Sequence, residues 1–158
     1  MKTNKVAAVT GGSAGIGKVV CEQLLDQGYE VVSLARRRAG IDHPRLHSIE
    51  VDLADRAATA QAVQSMVQQH EVTTIVHNAG VIRAALLPQV KLADLDALVD
   101  LHLGCAVQML QAALPAMRQR QFGRVVLLSS RAALGLATRT SYSATKAGML
   151  GMARTWAL

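Results

Sequence analysis

Short β-branched runs alternate with longer amphipathic stretches along the whole chain, and this alternation restricts the fold more than any other feature. "KVAAVT" (5–10), "EVVSLA" (30–35), "LHSIEVD" (46–52), "VTTIVHNAG" (72–80) and "GRVVLLSS" (123–130) read as strands. Between them, helical spacing predicts a helix from the glycine-rich turn through about Gly28, then helices over 56–70, 91–119 and 141–158. Strands that alternate with helices imply parallel β-α-β units. The strands are apolar nearly throughout, as a sheet covered by helices on both faces requires. Such a sheet binds ligands beyond the carboxyl ends of its strands. The groups at 10–17, 36–38, 77–80 and 129–131 all sit there. At 158 residues, with 51% hydrophobic and 18% charged residues and three prolines, the chain has the size and composition of one folded domain.

"TGGSAGIG" (10–17) joins the first strand to the first helix. Gly11, Gly15 and Gly17 lack a Cβ, so the backbone there can turn tightly and approach a pyrophosphate, with the helix N-terminus offering free N–H groups. A purely structural turn explains one such glycine more easily than three. "ARRR" (35–38) follows the second strand, where an acidic side chain would suit the ribose of NAD; Arg36 and Arg37 suit the 2′-phosphate of NADP instead. A solvated basic loop is the alternative. Asp52 ends the third strand, placed to accept from an adenine amino group. Asn78 and Gly80 end the fourth, one to tie strand ends together and the other to let a ribose approach. Either acidic or amide residue also suits an ordinary turn.

Tyr142 and Lys146 are four apart in "SYSATK" and so share a helix face. An ammonium beside a phenol favours the phenolate, which makes tyrosine a usable acid or base. Ser130, at the end of the fifth strand, offers a hydroxyl for a substrate oxygen. A surface Tyr–Lys pair is the plainer reading, and the position after the fifth strand of a nucleotide-binding pattern argues against it.

The net charge of +6 is spread rather than gathered into a tract with interleaved aromatics, so a small anionic ligand is favoured over nucleic acid. Cys21 and Cys105 lack metal-ligand spacing and read as buried thiols of a reducing compartment. No structural metal is expected. The basic start "MKTNK" leads into an apolar run too short for a signal peptide, and no segment reads as a membrane span; a cytoplasmic location is the expectation.

Taken together, "TGGSAGIG", "HNAG" and "SSRAALGLATRTSYSATKAG", in that order, resemble the short-chain dehydrogenase/reductase family over about Lys5 to Leu158. The resemblance implies a Rossmann-like, doubly wound parallel α/β sheet of about five strands in the order 3-2-1-4-5. It implies hydride transfer between NADP(H), with NAD possible, and a small-molecule carbonyl or secondary alcohol. Tyr142 would be the acid/base, Lys146 would support it and bind the nicotinamide ribose, and Ser130 would position the substrate, with Ser129 as fallback. Gly11, Ser13, Gly15, Ile16 and Gly17 would surround the pyrophosphate, and Asp52, Asn78 and Gly80 would complete the cofactor site. A homo-oligomer would form through the long helix over 91–119 and the helix after it.

The sequence also departs from the family pattern. His102 in "LHLG" replaces an asparagine that relays protons; it reads equally as a relay or as a core histidine satisfied by a backbone carbonyl. His77 replaces a second asparagine and is given no catalytic role. The family's further strands and substrate-covering segment are not found before Leu158, so the fold is expected to be incomplete, with the fifth strand an apolar, unprotected edge. A catalytically impaired, nucleotide-binding or oligomerising subunit is the alternative function. A sugar-nucleotide epimerase shares the Tyr–Lys pair but has a different glycine spacing.

Overall fold

A computed structural model describes residues 5–158; the first four residues of the basic start lie outside it. Five strands form one parallel sheet in the order β3-β2-β1-β4-β5, as expected. They are β1 (Val6–Thr10), β2 (Glu30–Ala35), β3 (Leu46–Glu50), β4 (Thr74–His77) and β5 (Arg124–Leu127). The helices are α1 (Gly15–Asp26), α2 (Arg56–Gln69), α3 (Leu92–Val99), α4 (Cys105–Arg120) and α5 (Thr140–Trp156).

The near-continuous apolar strands are explained by parity. Successive residues of a strand point to opposite faces, and here both faces are covered. Ala8, Val32 and Ile75, register partners across β1, β2 and β4, point into one core with Val63 and Met66 of α2 and Cys105, Met109 and Ala113 of α4. Val9, Val31 and Val76 point the other way, onto Cys21 and Leu25 of α1. Both cysteines are free and buried, and burial raises their thiols to about 11 for Cys21, with a small push from Glu22, and about 12 for Cys105.

The edges differ from the centre. β3 is only half-buried, and it ends at Glu50, before Val51 and Asp52. On β5, Val125 and Val126 are 38% and 49% exposed, so the expected apolar edge is present.

Two expectations need correction. The single helix over 91–119 is interrupted: Asp100–Gly104 forms a π-helical turn between α3 and α4. Its apolar spacing carries straight through, so periodicity could not reveal the wider turn. In addition, Leu92–Arg120 is, by length and composition, apolar enough to cross a membrane, with a mean hydropathy of 1.4. Its apolar stripe is accounted for here by packing on the sheet through Leu101, Cys105, Met109, Ala113 and Met117.

Candidate functional site

Four chain segments meet beyond the carboxyl ends of β1, β2, β3 and β4. α1 starts with Ala14 at its cap position, no side-chain cap bond and no acidic residue in the first turn. Its first N–H groups are therefore available to an anion. Gly11 and Gly15 have φ of +72° and +53°, which lets the preceding loop turn. Gly17 answers a different demand. A Cβ there would collide with the Gly11 carbonyl oxygen and the Asn78 amide, so α1 reaches the strand ends only because the side chain is absent.

A cavity of about 190 Å³ opens at these ends, lined by Gly11, Ser13, Arg36, Arg37, Asp52 and Gly80, among others. Six of the residues expected from sequence are thus gathered in one place. Gly15, Ile16, Gly17 and Asn78 do not line it. Ile16 is 67% exposed on the outer side of the helix start, and Asn78 serves the backbone, donating from Nδ2 to the carbonyls of Thr10 (3.2 Å) and Gly11 (3.4 Å). Asn78 therefore ties the ends of β1 and β4 together. The Asp52 carboxylate accepts from the Ala54 N–H at 3.0 Å and is otherwise solvent-facing.

Sequence reading missed two participants. Arg83 lines the same cavity and pairs with Asp94 at 3.7 Å; no motif marks it. Thr10 was legible as part of "TGGSAGIG", yet its hydroxyl matters as much as the glycines. It is fully buried and accepts from the N–H groups of Asn78 and Ala79, both at 3.0 Å. Its own proton is then available for His77 Nδ1 at 2.9 Å, which leaves His77 Nε2 to donate to the His102 carbonyl at 3.0 Å. That hydrogen-bond pattern assigns the tautomer. His77 is thus a structural link between β1, β4 and the π-turn.

His102 projects from the π-turn with no exposed surface. Its Nδ1 lies 2.8 Å from Thr145 Oγ1, and that oxygen is 3.1 Å from the carbonyls of Ser141 and Tyr142. The threonine proton goes to a helix carbonyl, so His102 Nδ1–H donates and Nε2 carries a lone pair. Nε2 is buried without a hydrogen-bond partner, while the ring stands edge-on to Tyr142, centroids 5.6 Å apart. The expectation of a histidine satisfied by a backbone carbonyl fits His77, not His102. Burial first, then the Lys146 cation, lowers His77 to about 4; the same causes with His77 itself lower His102 to about 3.

Lys146 is almost fully buried, and burial lowers its pKa. Its Nζ donates to the Leu128 carbonyl at 2.6 Å and lies 5.7 Å from the centroid of the Tyr142 ring. The helix spacing did bring the two groups together, with the ammonium over the ring and turned toward the end of β5. Ser130 caps the 3-10 turn Arg131–Leu134, accepting from the Ala132 N–H at 3.1 Å, and that turn packs on α5. The Ser129 hydroxyl donates to the Lys146 carbonyl at 2.8 Å.

The family model for short chain dehydrogenases matches residues 5–158. The chain belongs to the short chain dehydrogenase family. It is 30% identical to a 3-oxoacyl-(acyl-carrier-protein) reductase of Thermotoga maritima, over 97% of this chain and 67% of that protein. It is 35% identical to the BbsD subunit of a (2S)-((R)-hydroxy(phenyl)methyl)succinyl-CoA dehydrogenase of Thauera aromatica, over 98% of this chain and 66% of that one. The crystal structure of a short-chain dehydrogenase from Streptomyces avermitilis superposes with a TM-score of 0.90 at 29% identity, covering 98% of this chain and 60% of the other. A short-chain dehydrogenase/reductase from Burkholderia vietnamiensis gives 0.87 at 31%, covering 98% and 79%. This short-chain dehydrogenase thus spans about two thirds of the length of these curated relatives.

Proposed function

We propose that the chain is a single dinucleotide-binding domain of an NADP(H)-dependent oxidoreductase acting on a carbonyl or secondary alcohol. One position carries the reading. Gly80 lines the cavity with Gly11, Arg36, Arg37 and Asp52, and a Cβ on it would meet His102 Nε2 at 3.0 Å and Lys146 Nζ at 3.6 Å. The open backbone at Gly80 therefore joins the anion-binding half of the site to the half that holds the titratable groups. An elongated ligand with phosphates at one end and a reactive ring at the other suits this arrangement.

The residues present fit such a cofactor, which when bound supplies or accepts the hydride. Gly11 and Ser13 at the cavity, with the free N–H groups of Gly15, Ile16 and Gly17 at the start of α1, would hold its pyrophosphate. Arg36 and Arg37, both exposed, face the 2′-phosphate, where a guanidinium fork pairs well. Asp52 accepts from the adenine amino group, and Asn78 keeps the glycine turn in register. Tyr142 gives a proton to the substrate oxygen in reduction and removes it in oxidation. Lys146 stabilises the phenolate and donates to the nicotinamide ribose. Ser130 uses its oxygen as the acceptor in its internal bond, so its O–H is left to hold the substrate oxygen. Ser129 has already given its proton to α5, which favours Ser130 for this role. His102, neutral at physiological pH, serves the proton relay as an acceptor through Nε2.

Acyl thioesters on acyl-carrier-protein or CoA, the groups in the two relatives' names, fall within this substrate class. A cytoplasmic location and self-association through the α3–α4 and α5 faces complete the proposal.

Titration of the chain with NADPH and NADH tests it. NADPH should bind more tightly. Arg36→Ala with Arg37→Ala should weaken NADPH by roughly 10–100-fold, the value of one or two hydrogen bonds to a charged group, with little effect on NADH. Equal losses for both cofactors would refute the phosphate assignment. Saturable binding without turnover of any carbonyl substrate would leave the nucleotide-binding subunit as the function.

A further inference from the structure

The opposite end of the sheet holds a second group of chemically capable side chains. Glu30 is the first residue of β2, His47 the second of β3, and His70 the residue that ends α2. Parallel register explains their meeting. His47 is the partner of Val32, and Glu30, two residues before Val32, points to the same face, over which α2 runs. One Glu30 oxygen, Oε1, lies 2.6 Å from His70 Nδ1 and 3.4 Å from His47 Nε2, and the imidazole planes are tilted by 41° with centroids 4.5 Å apart. All three ligand atoms lie within 4.8 Å of one another, each on a half-buried residue.

We infer that Glu30, His47 and His70 bind a zinc-class divalent cation at the amino ends of the strands. Two imidazoles and a carboxylate are a donor set that zinc accepts, with water completing the tetrahedron. Metal–ligand bonds of about 2.0–2.1 Å place tetrahedral ligands roughly 3.3 Å apart. The Glu30–His47 separation already has that value. The Glu30–His70 pair has to open by about 0.7 Å, a small rotation at the free end of a helix. His70 also borders a groove of about 610 Å³ between α2 and α4, which gives an ion a path from solvent. The cation would clip β2, β3 and the end of α2 together. It lies at the far end of the strands from the cavity, so its role is structural, and it stands or falls independently of the cofactor reading.

The test uses the full chain freed of metal with a chelator, then titrated with Co²⁺ as a visible-absorbing probe and with Zn²⁺ by calorimetry. One equivalent should bind, with d–d bands and no thiolate charge-transfer band, and Zn²⁺ should displace Co²⁺. Glu30→Gln, His47→Ala and His70→Ala should each weaken the complex by roughly 10–100-fold or more, since loss of an outer-shell partner alone costs that much. His43→Ala, on the nearby loop, should leave binding unchanged. NADPH affinity should be the same with and without the ion. The proposal is overturned if no saturable binding occurs below about 1 mM, an affinity of about 4 kcal/mol. Undiminished binding in His47→Ala or His70→Ala overturns it as well. Should a variant fail to fold, zinc-edge X-ray absorption of the loaded wild-type chain decides: two imidazoles support the site, and one or none excludes it.

Discussion

The two ends of one sheet are built on opposite plans. At the carboxyl ends, atoms are missing. Gly17 lets α1 touch the strands, Gly80 leaves a path between the cavity and Lys146, and the α1 N-terminus is uncapped. At the amino ends, side chains fill the space: Glu30 holds both His70 and His47. An end designed around absence can admit a large ligand. The donors gathered at the other end are spaced for an ion. The same strands serve both because parallel strands put all their carboxyl ends on one side.

The first way to test this contrast is to disable the open end chemically. Tyr142→Phe should lower turnover by roughly 10²–10⁴-fold, the usual value of a positioned acid or base, while NADPH affinity changes little. A loss of affinity matching the loss of rate would make Tyr142 a binding residue instead. Closing the passage comes next. Gly80→Val would place methyl groups against His102 Nε2 and Lys146 Nζ. NADPH affinity should fall at least tenfold, roughly 1.4 kcal/mol, as expected for overpacking at a binding wall.

The third comparison is thermodynamic. His77 and His102 belong to the open end and are held neutral by burial, at about 4 and about 3, below their ordinary 6.5. As pH falls below about 6.5 the unfolded chain takes up protons that the folded chain refuses, so stability is lost from there down toward pH 4 and 3. The slope should approach roughly 1.4 kcal/mol per pH unit for each histidine. His102→Asn should remove one of the two contributions. Denaturant titrations from pH 7 to 5 read it directly, and an unchanged slope in the variant would mean that His102 titrates normally.

The smallest effect tests whether every polar group near the open end is functional. Asp55 caps α2, accepting from the N–H groups of Ala57 and Ala58, both at 2.9 Å. Asp55→Ala should cost about 1 kcal/mol of stability and leave cofactor affinity alone. A change in affinity would extend the binding site onto α2.

The sheet was legible because its strands are bounded by turns, and its order was implied by the family resemblance that the motifs carry. So was the glycine loop, whose residues lie in one stretch. Legibility fails where function depends on a face or a direction. The π-turn at Asp100–Gly104 leaves no mark in the apolar spacing, although it is what aims His102 inward. Lys146 was placed near Tyr142 by helix geometry, but its bond to Leu128 depends on where β5 ends. Arg83 belongs to a loop without a pattern. Glu30, His47 and His70 are far apart in sequence, and only the β2–β3 register shows that two of them share a face. Short local motifs survive translation from sequence to structure; assemblies across elements need the register first.

The Thr10 hydroxyl has a consequence in time as well as in space. It is made before its partners: the N–H groups it accepts belong to Asn78 and Ala79, and β1 meets β4 through the pairs from Ala7–Thr74 to Thr10–His77. Long-range parallel pairing is slow because loop closure precedes the reward. On the ribosome, Thr10 emerges 68 residues ahead of Asn78 and waits for that anchor to arrive. Of the two partners, the one made earlier thus settles only when the later one arrives.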